Sequence, residues 1–138
     1  MRDTVNPTVI NSLGLAIDAR VKLALMPKGD VVWPMFNEWF KYYPIDVYIR
    51  STRRILNDTE YLTLDFSNCS VHPAQEGKGY YAALTDRLQS IADKHGMALY
   101  AENILNDKLI PFYEKRGYIK LTNDNCFGAC PSYYRPPQ

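Results

Sequence analysis

Apolar residues recur at three- and four-residue spacing near the start of the chain, which is typical of an amphipathic helix. The apolar positions are Ile10, Leu13, Ile17, Val21 and Ala24. Asn6 precedes them as an N-cap residue, and Pro7 suits the first helical position. Because Pro27 and Gly29 follow the last apolar position, we predict a first helix that ends before them.

The next segment is dense in aromatic residues and is bounded by two prolines. It runs from Pro34 to Pro44 and contains Phe36, Trp39, Phe40, Tyr42 and Tyr43. We predict a short helix from Pro34 to Tyr43. Since nearly every side of such a helix would be aromatic, it would be either largely buried or partly exposed along a pocket.

Strict alternation replaces helical spacing after Pro44. Ile45 to Arg50 alternates apolar and polar residues, and Tyr61 to Val71 places Leu62, Leu64 and Phe66 on one face. A turn near Asn57-Asp58 separates the two segments. We therefore predict two antiparallel strands.

Helical spacing returns after Val71 and predicts a helix from about Gly79 to Lys94. The apolar segment Met97 to Glu102 then predicts a buried strand, and a strand–helix–strand order favours parallel pairing. A helix within Asn106 to Arg116 and a strand from Tyr118 to Leu121 follow. The tail contains turn-forming residues and one candidate edge strand, Ser132 to Tyr134.

Length and composition indicate one folded domain over residues 1–138. Aromatic residues make up 13% of the chain, which argues against disorder. The net charge of +1 gives no general attraction to nucleic acid or to an anionic membrane. We find neither a membrane-spanning stretch nor a secretory signal, so we expect a cytoplasmic protein.

The three cysteines cannot form a complete set of disulfides. Free thiols in a reducing cytoplasm are the simplest interpretation, and a redox pair between Cys126 and Cys130 is the alternative. Cys126 and Cys130 lack nearby partners for a zinc site, so no metal is expected.

The segment from Val71 to Tyr80 carries the most informative chemistry. A strand ends there, and the sequence Gly77-Lys78-Gly79 opens a helix. The first amides of a helix lack internal partners and carry partial positive charge, and glycines let a ligand approach the backbone closely. These residues suit an anion such as a phosphate, although a simple tight turn would have the same sequence.

Two motifs in this order resemble the GNAT superfamily of N-acetyltransferases. The matching positions of the first are Val71, Pro73, Gly77, Gly79 and Leu84. Those of the second are Asn106, Phe112, Tyr113, Glu114, Lys115, Gly117 and Tyr118. The resemblance covers residues 61–121, nearly half of the chain.

The resemblance implies an α/β fold of the α+β type: a mixed, mostly antiparallel sheet with a central splayed pair of parallel strands and flanking helices. It divides the single domain into an acceptor-side part at residues 1–60, an acetyl-CoA-binding part at 61–121 and a tail at 122–138.

The resemblance also implies which residues bind acetyl-CoA. Backbone amides of the glycine loop and helix start would hold its pyrophosphate: Gly77, Lys78, Gly79, Tyr80 and Tyr81. Backbone groups near Cys69, Ser70 and Val71 would pair with the pantetheine arm, and Asn106 would help to hold it. Tyr113 would protonate the leaving thiolate. Asn106 as a helix N-cap and Tyr113 as a packed aromatic residue are the structural alternatives.

A base for the attacking amine is harder to identify. Asp65 and Glu102 lie on the two strands expected to splay, and His72 lies just beyond one of them. Strict alternation would place Asp65 on the same face as Cys69 and Val71, opposite Leu64. A chain of waters without a dedicated base is equally consistent with the sequence.

Three features depart from the family pattern. Glu76 and Tyr81 replace the usual Gln or Arg and the usual small residue of the loop, which would weaken pyrophosphate binding unless Lys78 offsets the added charge. In addition, no first strand is evident before the first helix.

The resulting hypothesis is an acetyl-CoA-dependent N-acetyltransferase in which a primary amine attacks the thioester directly, with no enzyme nucleophile. The acceptor would be a small molecule or a protein, and a homodimer is left open. Acylation of a nucleic acid or of an aminoacyl-tRNA amine is a third possibility, and the near-neutral charge argues against it. The alternative is a catalytically degenerate GNAT-fold protein that acts as a protein-binding module or inhibitor. A small basic cluster lies near the predicted turn and consists of Arg50, Arg53 and Arg54. Its side chains are either solvated on the surface of a hairpin or in contact with an acidic ligand.

Overall fold

The computed structural model of the chain describes residues 5–102, 104, 106–122 and 131–138. The helices are α1 (Pro7–Leu25), α2 (Tyr80–Lys94) and α3 (Leu109–Lys115), with a 3-10 turn at Pro73–Gln75. The strands are β1 (Phe36–Tyr42), β2 (Ile45–Leu56), β3 (Thr59–Val71), β4 (Ala98–Ala101), β5 (Ile119–Lys120) and β6 (Tyr133–Arg135).

Within the described residues, six strands form one sheet in the order β1-β2-β3-β4-β6-β5. All neighbours pair antiparallel except β3 and β4, which are parallel. Helices α1 and α2 pack against one face of the sheet and bury the main apolar core, which includes Leu13, Ile17, Ile49, Leu64 and Leu84. The prediction of a mixed, mostly antiparallel sheet with flanking helices is confirmed.

The first helix forms as its spacing predicts. Asn6 is the N-cap residue, and its side-chain oxygen accepts a hydrogen bond from the Thr8 amide at 3.0 Å. Pro7 occupies the first turn, where its missing N–H costs nothing. The five apolar positions that predict the helix are all buried against the core.

The aromatic segment before Pro44 is a strand, so the prediction of a short helix there is wrong. Phe36 and Phe40 face the core, while the Trp39 side chain is 48% exposed on the other face. A spacing of four residues fits one face of a strand as well as one face of a helix, so Phe36 and Phe40 could not distinguish them. The whole segment pairs with β2 and is therefore a strand. Aromatic residues are also common in strands.

A tight hairpin joins β2 to β3 at the predicted turn. Asn57 and Asp58 both have positive φ, 48° and 72°. This is the backbone of a two-residue type I′ turn, in which asparagine and aspartate are among the preferred residues. The turn extends β2 to Leu56, further than the predicted end at Arg50.

A β-bulge interrupts β3. Tyr48 pairs with Asn68, but the next residue on β2, Ile49, pairs with Phe66, so Ser67 has no partner on β2. The extra residue reverses the alternation beyond it. Cys69 therefore packs against the core cluster that contains Phe66, and the prediction that Cys69 shares a face with Asp65 is wrong.

The parallel strands separate after a short stretch of pairing. Thr63 to Asp65 pair with Ala98 to Tyr100, after which β4 ends at Ala101 while β3 continues to Val71. The predicted splayed pair is thus present. The separation leaves a cleft between the end of β3 and the residues that follow β4.

The last strand is not at the edge of the sheet, contrary to the prediction. Strand β6 lies between β4 and β5 and pairs with both. The predicted strand at Tyr118 to Leu121 is shortened to the two residues of β5, which form the edge instead. Cys126 and Cys130 lie outside the described residues, and Cys69 is a free thiol.

No helix of the described residues is both long and apolar enough to cross a lipid bilayer.

A buried carboxylate connects α1 to the end of α2. Asp18 accepts hydrogen bonds from His95 Nε2 at 2.7 Å and from Lys94 Nζ at 3.1 Å, and Lys22 Nζ lies 3.2 Å away. Burial opposes ionisation, but these bonds outweigh it and lower the pKa of Asp18 from 3.8 to about 2. Asp18 therefore stabilises the helix pair as the carboxylate.

We expect Asp18→Asn to lower the free energy of unfolding at pH 7 by about 2 kcal/mol. A carboxyl with a folded-state pKa below its unfolded value stabilises the fold above the unfolded pKa, and this contribution disappears as pH falls from about 4 to about 2. Urea unfolding at pH 7 and at pH 2 measures the effect. Equal losses at both pH values would contradict the assignment.

Candidate functional site

Two adjacent cavities fill the cleft between β3 and β4. The outer cavity has a volume of about 700 Å³ and is lined by the end of β3, the glycine loop and the start of α2. The inner cavity has a volume of about 200 Å³ and extends towards Glu102 and Tyr113. Cys69, Tyr81, Asn106 and Leu109 line both cavities, so these residues mark the boundary between them.

The glycine loop presents backbone to the outer cavity. Gly77 and Gly79 have φ of 77° and 95°, in the region that side chains disfavour. Ala83 donates to the Gly79 carbonyl at 3.0 Å, and this bond is the first of α2. The amides of residues 80–82 therefore have no partner within the helix, and the N-cap residue, Gly79, has no side chain to cap them. This arrangement can accept an anion from the cavity.

The side chains around the glycine loop leave the start of α2 accessible from the outer cavity. Glu76 lines the outer cavity but is exposed, and Lys78 is half-buried. Tyr80 is buried, and its hydroxyl accepts a hydrogen bond from the Asn6 amide at 3.0 Å. Its side chain thus connects the start of α2 to the start of α1, and Tyr80 also lines the outer cavity.

Tyr81 lies across the boundary between the cavities. Its ring packs between Phe66 and Phe112, at centroid distances of 5.2 Å and 5.5 Å. Its hydroxyl is hydrogen-bonded to the hydroxyl of Tyr113. Burial raises the pKa of Tyr81 to about 12. Tyr81 is therefore a protonated phenol within the cleft at neutral pH.

Tyr113 forms part of the wall of the inner cavity but is fully buried. Its ring contacts Phe112 and Tyr118 at centroid distances of 5.1 Å and 5.0 Å. Burial and the neighbouring Tyr81 raise the pKa of Tyr113 far above its usual range. The Tyr113 hydroxyl thus stays protonated. Seen from the outer cavity, it lies beyond the hydroxyl of Tyr81.

The residues expected to accompany the pantetheine arm lie along the outer cavity. Cys69, Ser70 and Val71 all line it at the end of β3. Burial, together with Asp46, raises the pKa of Cys69 to about 12, so its thiol is protonated and not a nucleophile. Asn106 lines both cavities, and its side-chain oxygen accepts a hydrogen bond from the Lys108 amide at 3.0 Å.

Asp65 lies on the face of the sheet opposite the helices. Its side chain is fully buried, and Arg50 Nε and Arg54 donate to one of its oxygens at 2.9 Å and 2.6 Å. Thr63 donates to the other oxygen at 2.7 Å. Both oxygens are therefore occupied, and Asp65 is placed to hold two arginines rather than to accept a proton from a ligand.

Glu102 is the one of the two predicted carboxylates that reaches the cleft. It lines the inner cavity, and one of its oxygens accepts from Arg50 and Arg54 at 2.9 Å and 3.2 Å. Its side chain is 28% exposed. It is thus a charged acceptor at the inner end of the cleft. Among the residues that the structure describes, no three His, Cys, Asp or Glu side chains are grouped as a metal site would require.

Comparison with known proteins rests on structure alone. No family model matches the chain, and no curated protein sequence does. A mutant of the toxin AtaT, bound to the C-terminus of the antitoxin AtaR and acetyl-CoA, superposes with a TM-score of 0.52 at 14% identity. The KacTA–DNA complex matches with the same values, and both alignments cover 67% of this chain and 57% of the other chain.

AtaT complexed with acetyl-methionyl-tRNAfMet matches with a TM-score of 0.50 at 16% identity, over 67% of this chain and 61% of that chain. AtaT and KacT are GNAT-family acetyltransferases. The chain has the GNAT fold. This chain spans less than two thirds of the length of these neighbours, and the match shows the GNAT fold without showing an activity.

The pairing of Tyr81 with Tyr113 was not predicted. The sequence marks Tyr81 only as a large residue where the GNAT family has a small one, and the two tyrosines belong to different helices. The contact arises from how α2 and α3 pack beside the end of β3. Among sequence signals, only the unusual size of Tyr81 pointed to this position.

Proposed function

We propose that this GNAT-fold protein is an acetyl-CoA-dependent N-acetyltransferase that acetylates a primary amine by direct attack in a ternary complex. The observation that carries the proposal is the cleft itself. At the outer cavity, the first amides of α2 have no intrahelical partners. At the boundary with the inner cavity lie the protonated, hydrogen-bonded phenols of Tyr81 and Tyr113. An elongated ligand with a diphosphate at one end and a thioester at the other matches this arrangement.

The chain offers a binding surface that fits the coenzyme. The amides of residues 80–82 would donate to the diphosphate, as a helix N-terminus does for phosphate groups. The end of β3 has no strand partner on its cleft side within the described residues, so its backbone groups can pair with the amides of the pantetheine arm. When bound, acetyl-CoA supplies the acetyl group as an activated thioester.

The inner end of the cleft supports the transfer step. A primary amine must lose its proton before or during attack, and the departing sulfur gains from a hydrogen-bond donor. The Tyr81–Tyr113 pair provides the donor. Glu102 lines the inner cavity and can accept a hydrogen bond from an ammonium group there, and water carries the proton away.

The acceptor is proposed to be an amine of a small molecule or of a protein. The expectation against nucleic acid is weakened, because the neighbour AtaT is complexed with acetyl-methionyl-tRNAfMet. An aminoacyl-tRNA also presents a primary amine and therefore belongs among the acceptors to test. The comparisons do not favour the protein-binding alternative. The cytoplasmic location and a homodimer remain predictions.

Calorimetry with acetyl-CoA tests the proposal. We expect saturable binding, and we expect acetyl-pantetheine, which has the same thioester but no diphosphate, to bind at least about a hundredfold more weakly. Mass spectrometry of polyamines, lysine peptides, peptide N-termini and aminoacyl-tRNA after incubation with acetyl-CoA identifies the acceptor class. Folded protein that gives no heat with millimolar acetyl-CoA would exclude the proposed function.

A further inference from the structure

The two phenols at the boundary of the cavities differ in access. Tyr81 is half-buried and lines both the outer and the inner cavity. Tyr113 lines the inner cavity alone and is 0% exposed. A ligand that runs from the glycine loop towards Glu102 passes Tyr81 on the way. The hydroxyl of Tyr113 is already engaged by the hydroxyl of Tyr81.

Packing holds both rings in place. Tyr113 contacts Phe112 and Tyr118 and stacks on Tyr133 at 6.2 Å, with 14° between the planes. Such close packing prevents the Tyr113 ring from swinging into the cleft without disturbing the core. Tyr81 is held between Phe66 and Phe112, with its hydroxyl directed towards Tyr113.

Resting on the proposed acetyl transfer, we infer that Tyr81 is the proton donor to the departing thiolate and that Tyr113 acts through Tyr81 as a positioning residue. The GNAT resemblance alone assigns the donor role to the position of Tyr113. The contacts place Tyr81 in front of it.

The step balances with these two hydroxyls and water. The amine nitrogen forms a bond to the carbonyl carbon, the carbon–sulfur bond breaks, and its electron pair moves to sulfur. The proton on the Tyr81 oxygen passes to the sulfur, while the Tyr113 hydroxyl donates a hydrogen bond to the resulting phenolate. Water in the cleft returns a proton to Tyr81 and takes up the proton that the amine releases.

The electrostatic environment keeps both hydroxyls protonated. Burial raises the pKa of Tyr81 to about 12 and also raises the pKa of Tyr113. At neutral pH each group therefore carries the proton that a donor needs, and access to the cleft distinguishes the two.

Matched phenylalanine variants test the assignment, because each removes one hydroxyl and keeps the ring. In Tyr81→Phe we expect turnover of the best amine to fall about tenfold or more, with acetyl-CoA affinity changed by less than about threefold. Tyr113→Phe leaves the donor in place but misdirected, so we expect a smaller loss of about threefold.

The thiol of bound coenzyme A gives a second readout that needs no acceptor. Its titration can be followed by the NMR shift of an isotope-labelled cysteamine carbon. A donor hydroxyl stabilises the thiolate, so we expect Tyr81→Phe to raise the pKa of the bound thiol by about one unit, and Tyr113→Phe by less.

The outcomes separate this inference from the proposed function. A larger thiol pKa shift in Tyr113→Phe than in Tyr81→Phe would overturn the assignment and return the donor role to Tyr113. Tighter coenzyme binding by Tyr81→Ala, with unchanged turnover and thiol titration in Tyr81→Phe, would show that Tyr81 only narrows the cleft. Wild-type protein that binds no acetyl-CoA would instead refute the proposed function.

Discussion

Replacing Gly79 with valine is expected to weaken acetyl-CoA binding by about a hundredfold or more. Gly79 is the N-cap of α2 and has φ of 95°, a conformation that a β-branched residue does not tolerate. Space is not the obstacle, since the nearest atom to an added Cβ is Val5 Cγ2 at 3.6 Å. The backbone must rotate instead, which turns the amides of residues 80–82 away from the outer cavity. Calorimetry measures the loss.

Gly29→Val is the matched control for this change. Gly29 also has positive φ, 66°, and nothing lies within 4 Å of its added Cβ, but it sits between α1 and β1 and lines neither cavity. We expect both variants to lose about 1–2 kcal/mol of stability from backbone strain. Only Gly79→Val should lose affinity. Equal affinities in the two variants would show that the α2 amides do not bind the diphosphate.

Replacing Asp65 with alanine is expected to lower the free energy of unfolding by about 3 kcal/mol. The substitution leaves Arg50, Arg54 and Thr63 without the carboxylate that they share. The two arginines keep Glu102 and are 33% and 25% exposed, so solvent limits the loss to the lower part of the range for broken buried ion pairs. Denaturant unfolding measures the change.

Glu60→Ala provides the comparison for Asp65. Glu60 lies 4.0 Å from Arg53 at the surface, with side chains 65% and 54% exposed. Removing a pair of this kind should cost less than about 0.5 kcal/mol. If Asp65→Ala and Glu60→Ala proved equally mild, the buried carboxylate would not organise this face of the sheet. Acetyl-CoA binding should survive in both variants, because neither residue lines the cleft.

Local patterns predicted the elements that depend on local physics. The spacing from Ile10 to Ala24 predicted α1, and Asn57-Asp58 predicted the hairpin because few residues accept two positive φ angles in succession. Strand β1 was missed because Phe36 and Phe40 fit either period, and its conformation is decided by pairing with a partner that the local sequence does not contain. The position of β6 inside the sheet is likewise a matter of long-range pairing.

The candidate site likewise has one part that the sequence predicts and another that depends on long-range contacts. The glycine loop and its helix were predictable, because both lie in one continuous segment with recognisable backbone requirements. The enclosure of Asp65 by Arg50 and Arg54 was not, because it arises from the pairing of β3 with β2, which alternation within β3 alone does not specify. The Tyr81–Tyr113 contact joins residues 32 positions apart, and no spacing rule connects them.

Ser67, which has no partner on β2, determines which face of the sheet each following side chain of β3 occupies. Without the bulge, strict alternation of the same residues would turn Cys69 and Val71 outward, while Asn68 and Ser70 would turn towards the helices. The groove beside α2 would then be lined with polar groups in place of a thiol and a valine. Deleting Ser67 itself should keep every following side chain on its present face, because Asn68 would then follow Phe66 in regular alternation. One extra backbone position thus decides the chemistry of this wall without changing any side chain in it.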